Sequence, residues 1–166
     1  MDIAAAAVNS MWAGLFAAAM AVVLTAPPQG ILPSLLCGFA ARFIRNVLIG
    51  WGVSSSAAVV VAAAACVLLA LAFAGRRRRF SVIAIVTGVL PLGAAVALFN
   101  SIKGILSLST LKEQALIAAS AQLSANVSAV FTTTLAMALG IGVGFLIARV
   151  FNWGLAAQDS SRAIPY

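Results

Sequence analysis

Two arginines are the most costly residues in this sequence. Arg42 and Arg45 lie within an otherwise apolar run, Ile31 to Gly50. Three positions apart, they share one face of a helix, with Asn46 beside them and Gly38 one turn before. A guanidinium at the centre of a lipid-embedded helix costs about 2.5–3.5 kcal/mol on insertion scales, and less near a span end, where it snorkels. Two arginines reaching toward headgroups would account for the pair. An anion site lining a cavity would also do so, because guanidinium forks match carboxylates in bidentate geometry. The balance tips toward the anion site because no acid in cis lies near them. The chain holds three acids, Asp2, Glu113 and Asp159, at its start, in a polar loop and in its tail. The counter-charge must then come from a substrate carboxylate, a lipid phosphate, water, or an acid on another subunit.

A second chemical feature is a helix break. Pro91 falls near the middle of an apolar run from Phe80 to about Ser101, flanked by Gly88 and Gly93. Proline has no N–H to donate to the carbonyl of Thr87, so that carbonyl is released at mid-membrane depth. Broken helices with free backbone groups hold substrates in secondary transporters. An ordinary proline kink, re-satisfied by Thr87 or by water, explains the same residues. Asn100, Ser101 and Lys103 close the run with polar groups, as a solvated helix end does, and Asn100 joins Thr87 and Pro91 as a candidate contact. The last apolar stretch carries polar residues on two stripes. Gln122, Asn126 and Thr133 project one way, continued by Gly140 and Gly144, while Ser120, Ser124 and Ser128 project another. A helix facing lipid would not be polar on two sides, so this one is expected to be enclosed by protein or to face a wet cavity in its outer half. Gly140-x-x-x-Gly144 reads first as a close-packing signal between helices.

Other chemistries are excluded by subtraction. The chain has no histidine, hence no imidazole base and no His-ligated metal. No acid lies inside an expected span, so neither a carboxylate dyad nor an acid proton relay comes from this chain alone. Cys37 and Cys66 sit in apolar runs without ligand spacing and read as small buried residues. No nucleotide loop, nucleophile elbow, metal motif or nucleic-acid module is present, and no cofactor is expected. These absences argue against an enzyme.

The elements that must position these residues follow from composition. Of 166 residues, 64% are hydrophobic and 8% charged, against about 45–50% and about 25% in soluble domains. Lipid must be the main solvent. An all-α, polytopic membrane bundle of about five helices is expected, forming one domain over 1–166, with spans near 3–24, 31–50, 57–74, 80–101 and 120–149 and a polar tail at 152–166. The fourth is broken at Pro91 and the last is long. The first run carries Asp2 and no early Lys or Arg, and Pro27 and Pro28 follow its only small-residue cleavage candidate, so it reads as an uncleaved helix. Turns are expected at Thr25–Gly30 and Gly52–Ser56, and a polar loop at Lys103–Gln114. Pro33 is expected in the first turn of the second helix. Arg76 to Arg79 form a basic turn that the positive-inside rule assigns to the cytoplasm, which puts the N-terminus outside and the C-terminus inside. An odd number of spans leaves no internal inverted pair, so a transporter built from this chain needs a further half.

The order and spacing of these features resemble a known family. The stretch Gly30-Ile-Leu-Pro-Ser-Leu-Leu-Cys-Gly-Phe-Ala-Ala-Arg-Phe-Ile-Arg-Asn-Val-Leu-Ile-Gly-Trp-Gly52 is followed by an apolar helix, a basic turn, a Pro-interrupted helix ending in Phe99-Asn-Ser-Ile102, and a long final helix bearing Ser, Thr and Asn. Together, over about residues 15 to 152, they resemble the small subunit of the bacterial threonine/serine exporter family. The resemblance implies a larger membrane subunit as partner in a hetero-oligomer, a place in the bacterial inner membrane, and export of threonine and serine or of a dicarboxylate such as succinate. It places Arg45 on an arginine of the family's second span and Pro91 on the first proline of a motif in the fourth. Phe99 takes the place of an aromatic that is often Tyr. The family's second proline and glycine correspond to Ala94 and Ala95 here, so the site is shaped differently and substrate identity does not carry over. A structural or regulatory membrane subunit with no substrate site of its own is the alternative expectation.

Overall fold

Among the described residues of this computed structural model, 3–74, 78–92, 99, 102–106 and 113–150, every element is helical. Helix α1 spans Ile3–Val23, α2 Pro28–Gly50, α3 Ser55–Ala74 and α4 Arg78–Val89, and α4 is followed by a 3-10 turn at Leu90–Leu92. A short helical stretch covers 102–106, and α5 spans Glu113–Val150. Four helices are long and apolar enough to cross a membrane, and the fourth expected span is represented by the shorter apolar helix Val82–Leu92. Of its remainder, 93–98 and 100–101 lie outside the described residues.

The interior is built from small side chains and the perimeter from large ones. Ala17, Ala21, Cys37, Ala41, Ala58, Ala62, Ala63 and Cys66 are fully buried, while Trp12, Leu32, Phe131, Leu135 and Leu146 are more than half exposed. A water-soluble protein sorts residues the opposite way. In lipid there is no hydrophobic drive between helices, so small residues that let backbones approach closely take the interfaces. Apolar residues run all round α1 and α3, as buried or lipid-facing helices require. The three fully buried hydroxyls, Ser10, Ser34 and Thr87, each donate to the carbonyl four residues back, on Ala6, Gly30 and Ile83, at 2.7, 2.9 and 2.9 Å. Bonding within the helix removes the cost of a polar group in hydrocarbon.

Helix α2 is central and packs on α1, α3 and α4, whereas α5 lies against α3. The main core sits where α2, α3 and α4 meet, around Cys37, Ala41, Cys66, Val67, Ala84, Ile85 and Leu92. Gly88 sets that junction: a Cβ there would come 2.7 Å from Cys66 Sγ and 2.9 Å from Cys37 Cβ. At the other interface a Cβ on Gly140 would come 2.5 Å from the Val60 carbonyl. The buried positions of α5, Ala136, Gly140, Gly144 and Ala148, recur every fourth residue, so the expected packing reading of the glycines holds and extends over three turns.

Several boundaries differ from the sequence expectations. The first turn ends at Pro27 rather than Gly30, because Pro28 starts α2 at the position where a missing N–H costs nothing. Pro33 therefore lies in the second turn of α2, not the first. Thr25 takes a positive φ of 55° and Gly52 one of 82°, where the chain reverses. Within the expected loop Lys103–Gln114, residues 103–106 are helical, with Ile102, Ile105 and Leu106 at helical spacing, and Glu113 and Gln114 already belong to α5. Arg78 and Arg79, expected in the basic turn, lie in the first turn of α4.

Candidate functional site

The two arginines of α2 leave the helix on one side and then part company. Arg42 reaches α4: its Nη1 donates to the carbonyl oxygen of Pro91 at 3.1 Å. Arg45, one turn nearer the C-terminal end of α2, reaches the start of α3, where its Nη2 donates to Ser55 Oγ at 3.4 Å. Both side chains are half-buried. Each arginine thus has a hydrogen-bond partner on a different neighbouring element.

The local reasons are visible in the sequence. Pro91 ends the regular helix at Val89, and a single 3-10 turn follows. Carbonyls at a helix C-terminus carry partial negative charge and attract a cation. The Arg42 guanidinium supplies one, and a charge-assisted bond of this kind contributes about 1.5–3 kcal/mol. That is comparable to the cost of placing an arginine in the span. Thr87, one turn before Pro91, is fully buried and donates to the Ile83 carbonyl at 2.9 Å. Thus three of the expected contacts, Arg42, Thr87 and Pro91, are gathered by α2 and α4 into one neighbourhood.

Arg45 is less well served. Its Nε is buried and has no hydrogen-bond partner among the described residues. Its nearest anchor is the first residue of α3, where the helix dipole and the free N–H groups are positive. A guanidinium there adds charge of the same sign. Arg42, Arg45 and the α3 start thus form a region of unbalanced positive potential, and none of the three acids occurs between Ile3 and Lys112. What this arrangement can do chemically is hold an oxyanion: Arg45 retains donor capacity, and an anion would offset the repulsion between the two guanidinia.

The other expected residues stand apart. Gln122 is exposed, and Asn126 and Thr133 are half-buried, all on α5. Gly140 faces Val60 and Gly144 faces Ala64, so α3 and α5 run parallel, and counting back puts Leu135 level with Ser55. A stretch of α5 amounting to about 30 Å of helix precedes that point without α3 beside it. Gly104 of the 102–106 helix lies against Leu123, yet no residue from Ser120 to Leu135 is buried, so of the two expectations for this half, enclosure by protein or a wet cavity, the described helices do not supply the first. The hydroxyls of Ser124, Thr132 and Thr134 bond to carbonyls of their own helix at 2.7–2.8 Å. Asn100 lies outside the described residues.

Three participants escaped the sequence reading as functional residues: Ser55, and the Cys37–Cys66 pair packed under Gly88. A signal for the cysteines existed. Counted outward from the turn near Gly52, Cys37 and Cys66 stand 15 and 14 residues away. An antiparallel hairpin brings such positions level. No metal-binding group of three or more His, Cys, Asp or Glu occurs among the described residues. No family model matches this chain, and neither a curated protein nor a solved structure does.

Proposed function

We propose that this chain is a subunit of a secondary transporter that exports a small carboxylate-bearing metabolite, an amino acid such as threonine or serine or a dicarboxylate such as succinate, across the bacterial inner membrane. The observation that carries the proposal is the half-buried pair Arg42 and Arg45 in a membrane-length helix, with a buried Nε on Arg45 that has no partner among the described residues and no acid nearby. A carboxylate matches those donors in charge and in fork geometry. The break of α4 at Pro91, directly against Arg42, adds backbone groups of the kind transporters use at such sites. The chain works with a larger membrane subunit in a hetero-oligomer. Two observations support this: none of the stretches Ala4–Val23, Pro28–Gly50, Ser55–Phe73 and Ser120–Val150 carries an Asp, Glu or His to move a proton, and the polar N-terminal half of α5 has no buried residue from Ser120 to Leu135. The basic run Arg76 to Arg79 faces the cytoplasm, with the N-terminus periplasmic and the C-terminus cytoplasmic.

The alternative, a structural or regulatory subunit, is favoured by one observation: Arg42 is already bonded within the fold. Arg45 discriminates between the readings. In cells carrying both subunits, Arg45→Ala should reduce efflux by more than about tenfold, the effect of losing one charge-assisted hydrogen bond, while the protein still inserts. Arg45→Lys should restore only part, because a point charge lacks the fork. Unchanged efflux from Arg45→Ala sinks the substrate-site reading and leaves the structural one.

A further inference from the structure

Arg42 presents a different problem from Arg45. It is linked to α4 at one point, the Pro91 carbonyl, 3.1 Å away. That carbonyl belongs to the 3-10 turn in which regular α4 ends. One turn below, Gly88 packs its bare face on Cys66 Sγ and Cys37 Cβ. Both cysteines are fully buried and free, and Cys37 Sγ lies 4.0 Å from the Cys66 carbonyl. The same end of α4 is thus held in two ways, by a charged hydrogen bond from α2 and by close packing over two thiols. Close packing without a Cβ is sensitive to small displacements, because a gap of about one ångström forfeits much of the dispersion energy across it.

We propose that Arg42 is a positioning residue, a latch that holds the broken end of α4 onto α2, and that its release opens the junction over Cys37 and Cys66. An anion that takes Arg42 Nη1 competes with the Pro91 carbonyl for that donor, and a carboxylate is the stronger acceptor. Carboxylate binding at the arginine pair therefore loosens α4 at its break. This last step, and only this step, rests on the substrate class proposed above. The latch itself is a property of the fold. Arg45, bonded to the start of α3, has no part in it.

The two native thiols report on the latch without any engineered probe. In membranes of cells expressing the full chain, modification of Cys37 and Cys66 by a small permeant maleimide is followed by mass spectrometry. The unmodified protein should react slowly. Arg42→Leu, which removes the donor and inserts without penalty, should react about tenfold faster, equivalent to about 1.4 kcal/mol. Arg42→Lys, which keeps a charged donor, should stay near the unmodified rate, and so should Arg45→Leu. Slow reaction in Arg42→Leu overturns the latch, whatever carboxylates do. Equally fast reaction in Arg42→Lys or Arg45→Leu also overturns it, since the effect is then general loosening. The second arm adds succinate or threonine to the unmodified protein, with dimethyl succinate as control. Acceleration by the free carboxylates alone supports the competition. A fast Arg42→Leu together with inert carboxylates upholds the latch and overturns the competition at Arg42, while the transport reading stands or falls separately on Arg45→Ala.

Discussion

The arginines of α2 and the hydroxyls in the N-terminal half of α5 are satisfied in opposite ways. On α2 the two arginines reach across to another element: Arg42 to the Pro91 carbonyl, Arg45 to Ser55. On α5 the hydroxyls of Ser124, Thr132 and Thr134 all return to their own backbone, and nothing from Ser120 to Leu135 is buried. The first region is a finished tertiary contact with one donor group to spare. The second is a helix whose polar face the described helices leave uncovered. A helix of 38 residues, about 57 Å at the usual rise, also exceeds about 30 Å of hydrocarbon. The difference teaches that similar polar content in two apolar helices carries different information: in one it describes the fold, in the other it points outside the chain.

The comparison breaks first at Gly88. Gly88→Leu must displace backbone and side chains on both α2 and α3, and a loss of about 3 kcal/mol, read by thermal or denaturant unfolding in detergent, is expected. Retained stability would mean that the α2–α3–α4 junction is not the core. A smaller effect is expected at Gly140→Val, where the obstruction is the Val60 backbone: about 2 kcal/mol, with α5 turning protease-sensitive while α1–α4 stay resistant. Gly142→Val, which meets nothing within 4 Å, is the matched control and should be neutral. The finest contrast is between hydroxyls. Thr87→Val removes a fully buried donor and should cost about 1 kcal/mol. Thr132→Val and Thr134→Val sit on the exposed half of α5 and should stay within about 0.5 kcal/mol. If these two destabilise the protein as much as Thr87→Val, the outer half of α5 is packed after all.

Much of the molecule is legible in the sequence. Composition dictates an all-helical membrane architecture, because 64% apolar residues leave no other solvent than lipid. The turns at Pro27–Pro28 and Gly52 mark where α1 gives way to α2 and α2 to α3, since proline and a positive-φ glycine interrupt helical hydrogen bonding for local reasons. The break at Pro91 is local for the same reason.

Only the tertiary structure decided what Arg42 does and what α5 leaves uncovered. Arg42 and Pro91 are 49 positions apart, on two helices not joined by a single turn. Their register depends on the length of α3 and on how closely Gly88 lets α4 approach Cys37 and Cys66. Apolar residues all round a helix name no preferred face, so the pattern of α3 and α4 is silent about that register. The same holds for α5, where polar stripes can be counted but not assigned a neighbour. Its neighbour is set by the ladder Ala136, Gly140, Gly144 and Ala148, which seats the helix on α3 at a register that ends near Leu135. Close approach between small residues is a property of two surfaces together, and a single stretch of sequence records only one of them.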